Sequence, residues 1–107
     1  MVFVELPIFI RSAASLLSDE DLASIQVALM ENLAAGNLIK GGRGLRKLRA
    51  PLPGRVKSGG ARIIYYHWVN EQQCYLLYAY AKNAATDLSK SQLKTLVDLM
   101  QEVVQDE

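Results

Sequence analysis

Apolar and polar positions alternate along this chain in two different rhythms, and the rhythm changes twice. Val2 to Glu5 is a short β-branched and aromatic stretch that predicts a first strand. Pro7 suits the first turn of a short helix running through Ile8, Phe9 and Ile10. Leu22, Ile25, Ala28, Leu29 and Leu33 then recur at helical spacing. Ser18 is a good N-cap for that stripe, and Asp19, Glu20 and Asp21 complement the positive end of the helix dipole. Leu17 and Leu22 have the spacing of a hydrophobic staple, and Gly36 offers a stop. These signals predict a helix over 19–35.

The rhythm then shortens. Gly41, Gly42 and Gly44 mark a turn, Leu45 to Arg49 reads as a strand, and Pro51, Pro53, Gly54, Gly59 and Gly60 make 50–60 a loop. Arg62 to Val69 and Cys74 to Ala81 are strands on either side of a polar turn, which predicts an antiparallel hairpin. In the first of them Arg62, Ile64, Tyr66 and Trp68 share one face, and Ile63, Tyr65, His67 and Val69 share the other. In the second, strict alternation groups Cys74, Leu76, Tyr78 and Tyr80, with Lys82 in phase. The longer rhythm returns at the end. Ser89 and Gln92 form a capping box, Leu88 and Leu93 a staple, and Leu93, Leu96, Val97, Met100, Val103 and Val104 an apolar stripe. The expected fold is α+β, of order β-α-α-β-β-β-α, with an antiparallel sheet and the helices packed on one face.

Composition adds bounds. A length of 107 residues fits a single domain over 1–107. Half the residues are hydrophobic and 21% are charged, as in ordinary globular proteins. No apolar run approaches the roughly 18 residues of a membrane span, and the first residues lack the basic start of a signal peptide, so a cytoplasmic location is expected. The single cysteine, Cys74, has no disulfide partner within the chain.

Charge changes the picture more. Twelve basic residues face eleven acidic ones, but the two signs are segregated. Lys40, Arg43, Arg46, Lys47, Arg49, Arg55, Lys57 and Arg62 lie in one segment without an intervening acid. Such segregation suggests a localised anion-binding face. Arg62 begins one hairpin strand and Lys82 ends its neighbour, so connectivity brings both to one end of the sheet. The 50–60 loop runs straight into Arg62 and delivers Arg55 and Lys57 to the same region.

That chemistry suits RNA cleavage. Cations stabilise the extra negative charge of a pentacovalent phosphorus transition state. Arginine grips phosphate oxygens with two parallel hydrogen bonds. A lysine crowded by other cations loses proton affinity and becomes a candidate acid or base. The nucleophile can be the RNA's own 2′-OH. Tyr65, Tyr66, Trp68 or Tyr80 could stack on a base. His67 falls on the face opposite Arg62 and reads as a packed or surface residue. No metal-ligand spacing is present, so neither metal nor cofactor is expected.

The string Gly44-Leu45-Arg46-Lys47, then Gly59-Gly60-Ala61-Arg62-Ile63-Ile64-Tyr65-Tyr66, Tyr75-Leu76-Leu77, Lys82-Asn83 and Asp87-Leu88 resembles the RelE superfamily, its HigB-type branch most closely. The distinctive part of the resemblance covers 41–96. It implies a toxin of a type II toxin–antitoxin pair that cuts mRNA in the ribosomal A site. It implies as partners a cognate antitoxin, of helix-turn-helix type, together with the ribosome and mRNA, and operator DNA only through the antitoxin complex. By position it assigns catalysis to Arg62, Lys82 and Lys57, and RNA or ribosome contact to Arg46, Lys47, Arg49, Arg55 and Arg43. One departure stands out. Many relatives place a Tyr or His soon after the position of Lys82, where this chain has Asn83-Ala84-Ala85-Thr86. Catalysis by cations alone is then the expected mechanism. The alternatives are a ParE-like inhibitor, a degenerate toxin kept as a partner-binding or nucleic-acid-binding regulator, or a basic nucleic-acid-binding module without toxicity, because the fold alone does not decide activity.

Overall fold

The computed structural model describes residues 1–52, 60–68, 72–82 and 87–105. The elements are β1 (Val2–Glu5), α1 (Pro7–Ala13), α2 (Asp19–Glu31), β2 (Asn37–Leu38), β3 (Arg46–Ala50), β4 (Ala61–Trp68), β5 (Gln73–Ala81) and α3 (Lys90–Gln105). The expected order holds, with the two-residue β2 as an addition. The strands form one sheet in the order β1-β5-β4-β3-β2. β2 to β5 pair antiparallel, whereas β1 joins the far edge of β5 in parallel. The antiparallel expectation therefore covers all but one pairing. Where β1 ends, α1 takes over the strand edge, and the Ala79 N–H donates to Ser12 Oγ at 3.0 Å.

The helix starts follow their caps. The Asp21 N–H donates to Ser18 Oγ at 3.1 Å and the Ser18 N–H to Asp21 Oδ2 at 2.8 Å. Ser89 and Gln92 make the same reciprocal pair at 2.9 and 3.0 Å. The end of α2 differs from expectation: it stops at Glu31 rather than 35. Asn32 leaves helical geometry, and its side-chain oxygen accepts the Ala34 N–H at 3.0 Å, a local bond that competes with another helical turn. Gly36 is needed for a different reason than stopping a helix. A Cβ there would lie 2.7 Å from the Tyr65 ring and 2.9 Å from the Lys47 carbonyl oxygen.

The helices do not share one face of the sheet, which corrects the expectation from the sequence. Phe9 and Ala13 of α1 and Ile25 and Leu29 of α2 pack on Leu48, Ile63, Tyr65, Cys74 and Leu76. Leu96 and Met100 of α3 pack on the other face, against Leu45, Ile64, Tyr75, Leu77 and Tyr80. Both faces of β4 and β5 are apolar, so each demands a cover. Among the described residues, no helix is long and apolar enough to cross a membrane.

Candidate nucleic-acid site

One irregularity decides which side chains meet. Tyr65 pairs with Leu76, but Ile64 pairs with Tyr78, so Leu77 is an extra residue in β5. Such a bulge inverts the alternation beyond it. Cys74 and Leu76 face α1 and α2, whereas Leu77, Tyr78 and Tyr80 face α3. Strict alternation had put Cys74 and Leu76 together with Tyr78 and Tyr80, and the bulge overturns that grouping. Tyr80 comes directly opposite Arg62, and Arg62 is opposite Arg49 on its other side. Arg49, Arg62 and Tyr80 thus form one row across three adjacent strands, on the α3 face, with Lys82 two residues beyond Tyr80.

Lys47, Arg49, Arg62 and Lys82 line one open cavity of about 440 Å³, with Ala35, Asn37 and Leu48. The backbone holds this end of the sheet together. The Lys82 N–H donates to the Gly60 carbonyl at 3.0 Å, tying the end of β5 to the entry of β4. Gly60 has φ +62°, and any Cβ there would collide with the Ala50 carbonyl. The only side chain that this junction accepts is hydrogen.

Like charges directly opposite each other on a ladder repel, so the Arg49–Arg62 pair is an arrangement that an anion relieves. Arg62 also donates to the Ala61 carbonyl at 3.3 Å. Asp87 supplies a nearby negative charge. Lys47 Nζ lies 3.2 Å from Asp87 Oδ1, which also accepts the Leu88 N–H at 2.8 Å. The Leu88 N–H and then Lys47 hold the Asp87 carboxyl below its ordinary value, and Lys82 adds to the effect.

The structure brings Arg62, Lys82, Lys47 and Arg49 together. It does not bring in Arg46, which lies on the opposite face of β3 and donates to the Gly36 carbonyl at 2.8 Å. Arg43 sits on the 41–44 turn, in left-handed geometry at φ 51°, beside Tyr66 and the C-terminal half of α3. Lys57 and Arg55 lie outside the described residues. Of the candidate stacking residues, Tyr65 is wholly inside, with its hydroxyl donating to the Leu33 carbonyl at 2.7 Å and accepting the Gly36 N–H at 2.9 Å. Trp68 packs beside Tyr75, with ring centroids 6.5 Å apart. His67 lies opposite Cys74, on the face away from Arg62. Among the described residues, no group of three or more His, Cys, Asp or Glu could hold a metal ion.

Two features of the site escaped sequence reasoning. Asp87 was a motif position without a role until its bond to Lys47 appeared. Tyr80 was one tyrosine among several, and only the bulge sets it against Arg62.

The family described as RelE toxin of the RelE/RelB toxin–antitoxin system matches residues 4–106. Among solved structures, a doubly substituted form of the E. coli toxin RelE in the free state is similar in fold, with a TM-score of 0.52 at 16% identity, over 79% of this chain and 86% of that one. The family match runs through the sheet, the cationic cavity and all three helices, and this chain belongs to the RelE family of toxins of toxin–antitoxin systems.

Proposed function

We propose that this toxin is a metal-independent endoribonuclease that cuts mRNA on the ribosome, its motif string aligning it with the HigB-type branch. The observation that carries the reading is the convergence of Lys47, Arg49, Arg62 and Lys82 on one cavity of about 440 Å³. The cavity suits a phosphodiester. Arg62 grips the non-bridging oxygens as a fork, and Lys82 stabilises the charge that grows on phosphorus. The RNA 2′-OH gives its proton to solvent as its oxygen attacks the adjacent phosphorus, and the bond to the 5′-oxygen breaks with that oxygen taking a proton from solvent, so the protein supplies no nucleophile. Lys57 joins as a further cation from the loop before β4. Arg49 and Lys47, with Arg55 and Arg43, position RNA or ribosome through phosphate contacts. The partner that neutralises the toxin is its cognate antitoxin, of helix-turn-helix type.

Expression of the toxin in growing bacteria should arrest translation and leave cut mRNA. Arg62→Ala and Lys82→Ala should each lower the cleavage rate on purified ribosomes by a factor on the order of 10² to 10³, the worth of one donor at a developing charge. Variants as active as the parent would show that the chemistry lies elsewhere. Growth arrest with intact mRNA and inhibited gyrase would point instead to a ParE-like inhibitor.

A further inference from the structure

We propose that Tyr80 is a positioning residue of the cationic cavity: its hydroxyl holds the Arg62 guanidinium in place while an RNA phosphodiester is bound. The proposal rests on the reading of the cavity as an RNA site. Tyr80 is 8% exposed, and its hydroxyl is the one buried side-chain oxygen or nitrogen without a hydrogen-bond partner among the described residues. Buried polar groups are nearly always paired, and an exception calls for a ligand, an ordered water, a catalytic duty or strain as its cause. Three observations connect this one to Arg62. The two residues are direct partners in the β4–β5 ladder, which places their side chains side by side on one face. Arg62 and Asp87 both act electrostatically on the phenol. Lys82, two residues on, lines the same cavity as Arg62.

The chemistry follows from what each group has to offer. A guanidinium has five N–H donors in a rigid fork, and a phosphate takes two of them. Unless the remaining donors are held, the fork swivels out of line with the phosphate. One of those donors goes to the Ala61 carbonyl, at 3.3 Å. Burial raises the Tyr80 pKa, so the phenol stays neutral and its oxygen remains an acceptor for an N–H. Asp87 is drawn the other way, with Oδ1 accepting from both Lys47 and Leu88.

Tyr80→Phe removes only the hydroxyl. Its melting temperature should equal or exceed that of the parent, because an unpaired buried group is lost. Binding of a 2′-O-methyl RNA, which blocks cleavage, should stay within about twofold, while the single-turnover cleavage rate should fall by about tenfold or more. In an Arg62→Ala background the same substitution should change the residual rate little, since the two residues act as a unit. A parent-like rate in Tyr80→Phe would overturn the proposal, as would an equal loss with and without Arg62. NMR of the Arg62 side-chain N–H groups in the 2′-O-methyl RNA complex gives a second test without cleavage. The signal should be protected from exchange in the parent and lose that protection in Tyr80→Phe, and identical spectra would overturn the proposal. A parent that neither binds nor cuts RNA would instead overturn the RNA reading, and the role of Tyr80 with it.

Discussion

Tyr65 and Tyr66 are adjacent and chemically identical, yet they lie on opposite faces of β4. Tyr65 is buried and bridges the Leu33 carbonyl to the Gly36 N–H, which pins the segment after α2 onto β4. Tyr65→Phe would leave both groups unsatisfied, and urea unfolding should register a loss of about 1–3 kcal/mol. Cys74 is equally enclosed, and burial pushes its thiol up to about 12. It should therefore react with a thiol reagent only as fast as the protein opens, and rapid labelling of the native state would contradict this. Asp87 behaves in the reverse sense. Its folded pKa lies below the ordinary carboxylate value of about 3.9, so its ion pair supports the fold above that pH and the support fades as pH falls through the folded value. With 64% of the side chain exposed, the effect is small. A carboxyl NMR titration of Asp87 should find a midpoint below the ordinary value, and the small difference in melting temperature between parent and Asp87→Asn should disappear in acid.

At the scale of elements, the starts of helices and strands were legible from side chains that act within a turn or two. Ser18, Ser89 and Gln92 cap as their spacing predicts, because a cap is a local hydrogen bond that needs no tertiary partner. Ser89→Ala should cost about 1 kcal/mol and speed amide exchange in the first turn of α3. The loss should reach the cavity too, since Asp87 and Leu88 lead directly into that turn and Asp87 holds Lys47. The end of α2 was less legible. Gly36 had the look of a stop signal, but the Asn32 side chain ended the helix earlier, and the glycine serves the close approach of Tyr65. The bulge at Leu77 had no signal at all, since Leu77 is as apolar as its neighbours.

At the scale of the whole molecule, the proposed RNA reading sets folding against function in the cationic row. On that reading, Arg49 opposite Arg62 trades like-charge repulsion across the ladder for attraction to a phosphate. Arg49→Gln should thus raise the melting temperature while weakening RNA binding. The plot of log affinity against log salt should also become shallower, by about 0.7 for each lost contact to single-stranded phosphate. A variant that loses stability and keeps the parent's salt slope would remove Arg49 from the binding face.

What the sequence determined by itself is what short-range physics carries. The helix stripes and caps, the β4–β5 hairpin, and the meeting of Arg62 and Lys82 at one end of the sheet all follow from periodicity and connectivity. Tertiary structure decided how those pieces combine. It docked β1 in parallel on β5, a strand distant in sequence, and it set α3 on the face opposite α1 and α2. Above all it selected which cations line the cavity, admitting Lys47 and Arg49 while turning Arg46 to the other side. The reason is that strand alternation has a period of two and both sheet faces here are apolar. Polarity then carries no mark of which face is which, and one extra residue in β5 is enough to set Tyr80 beside Arg62.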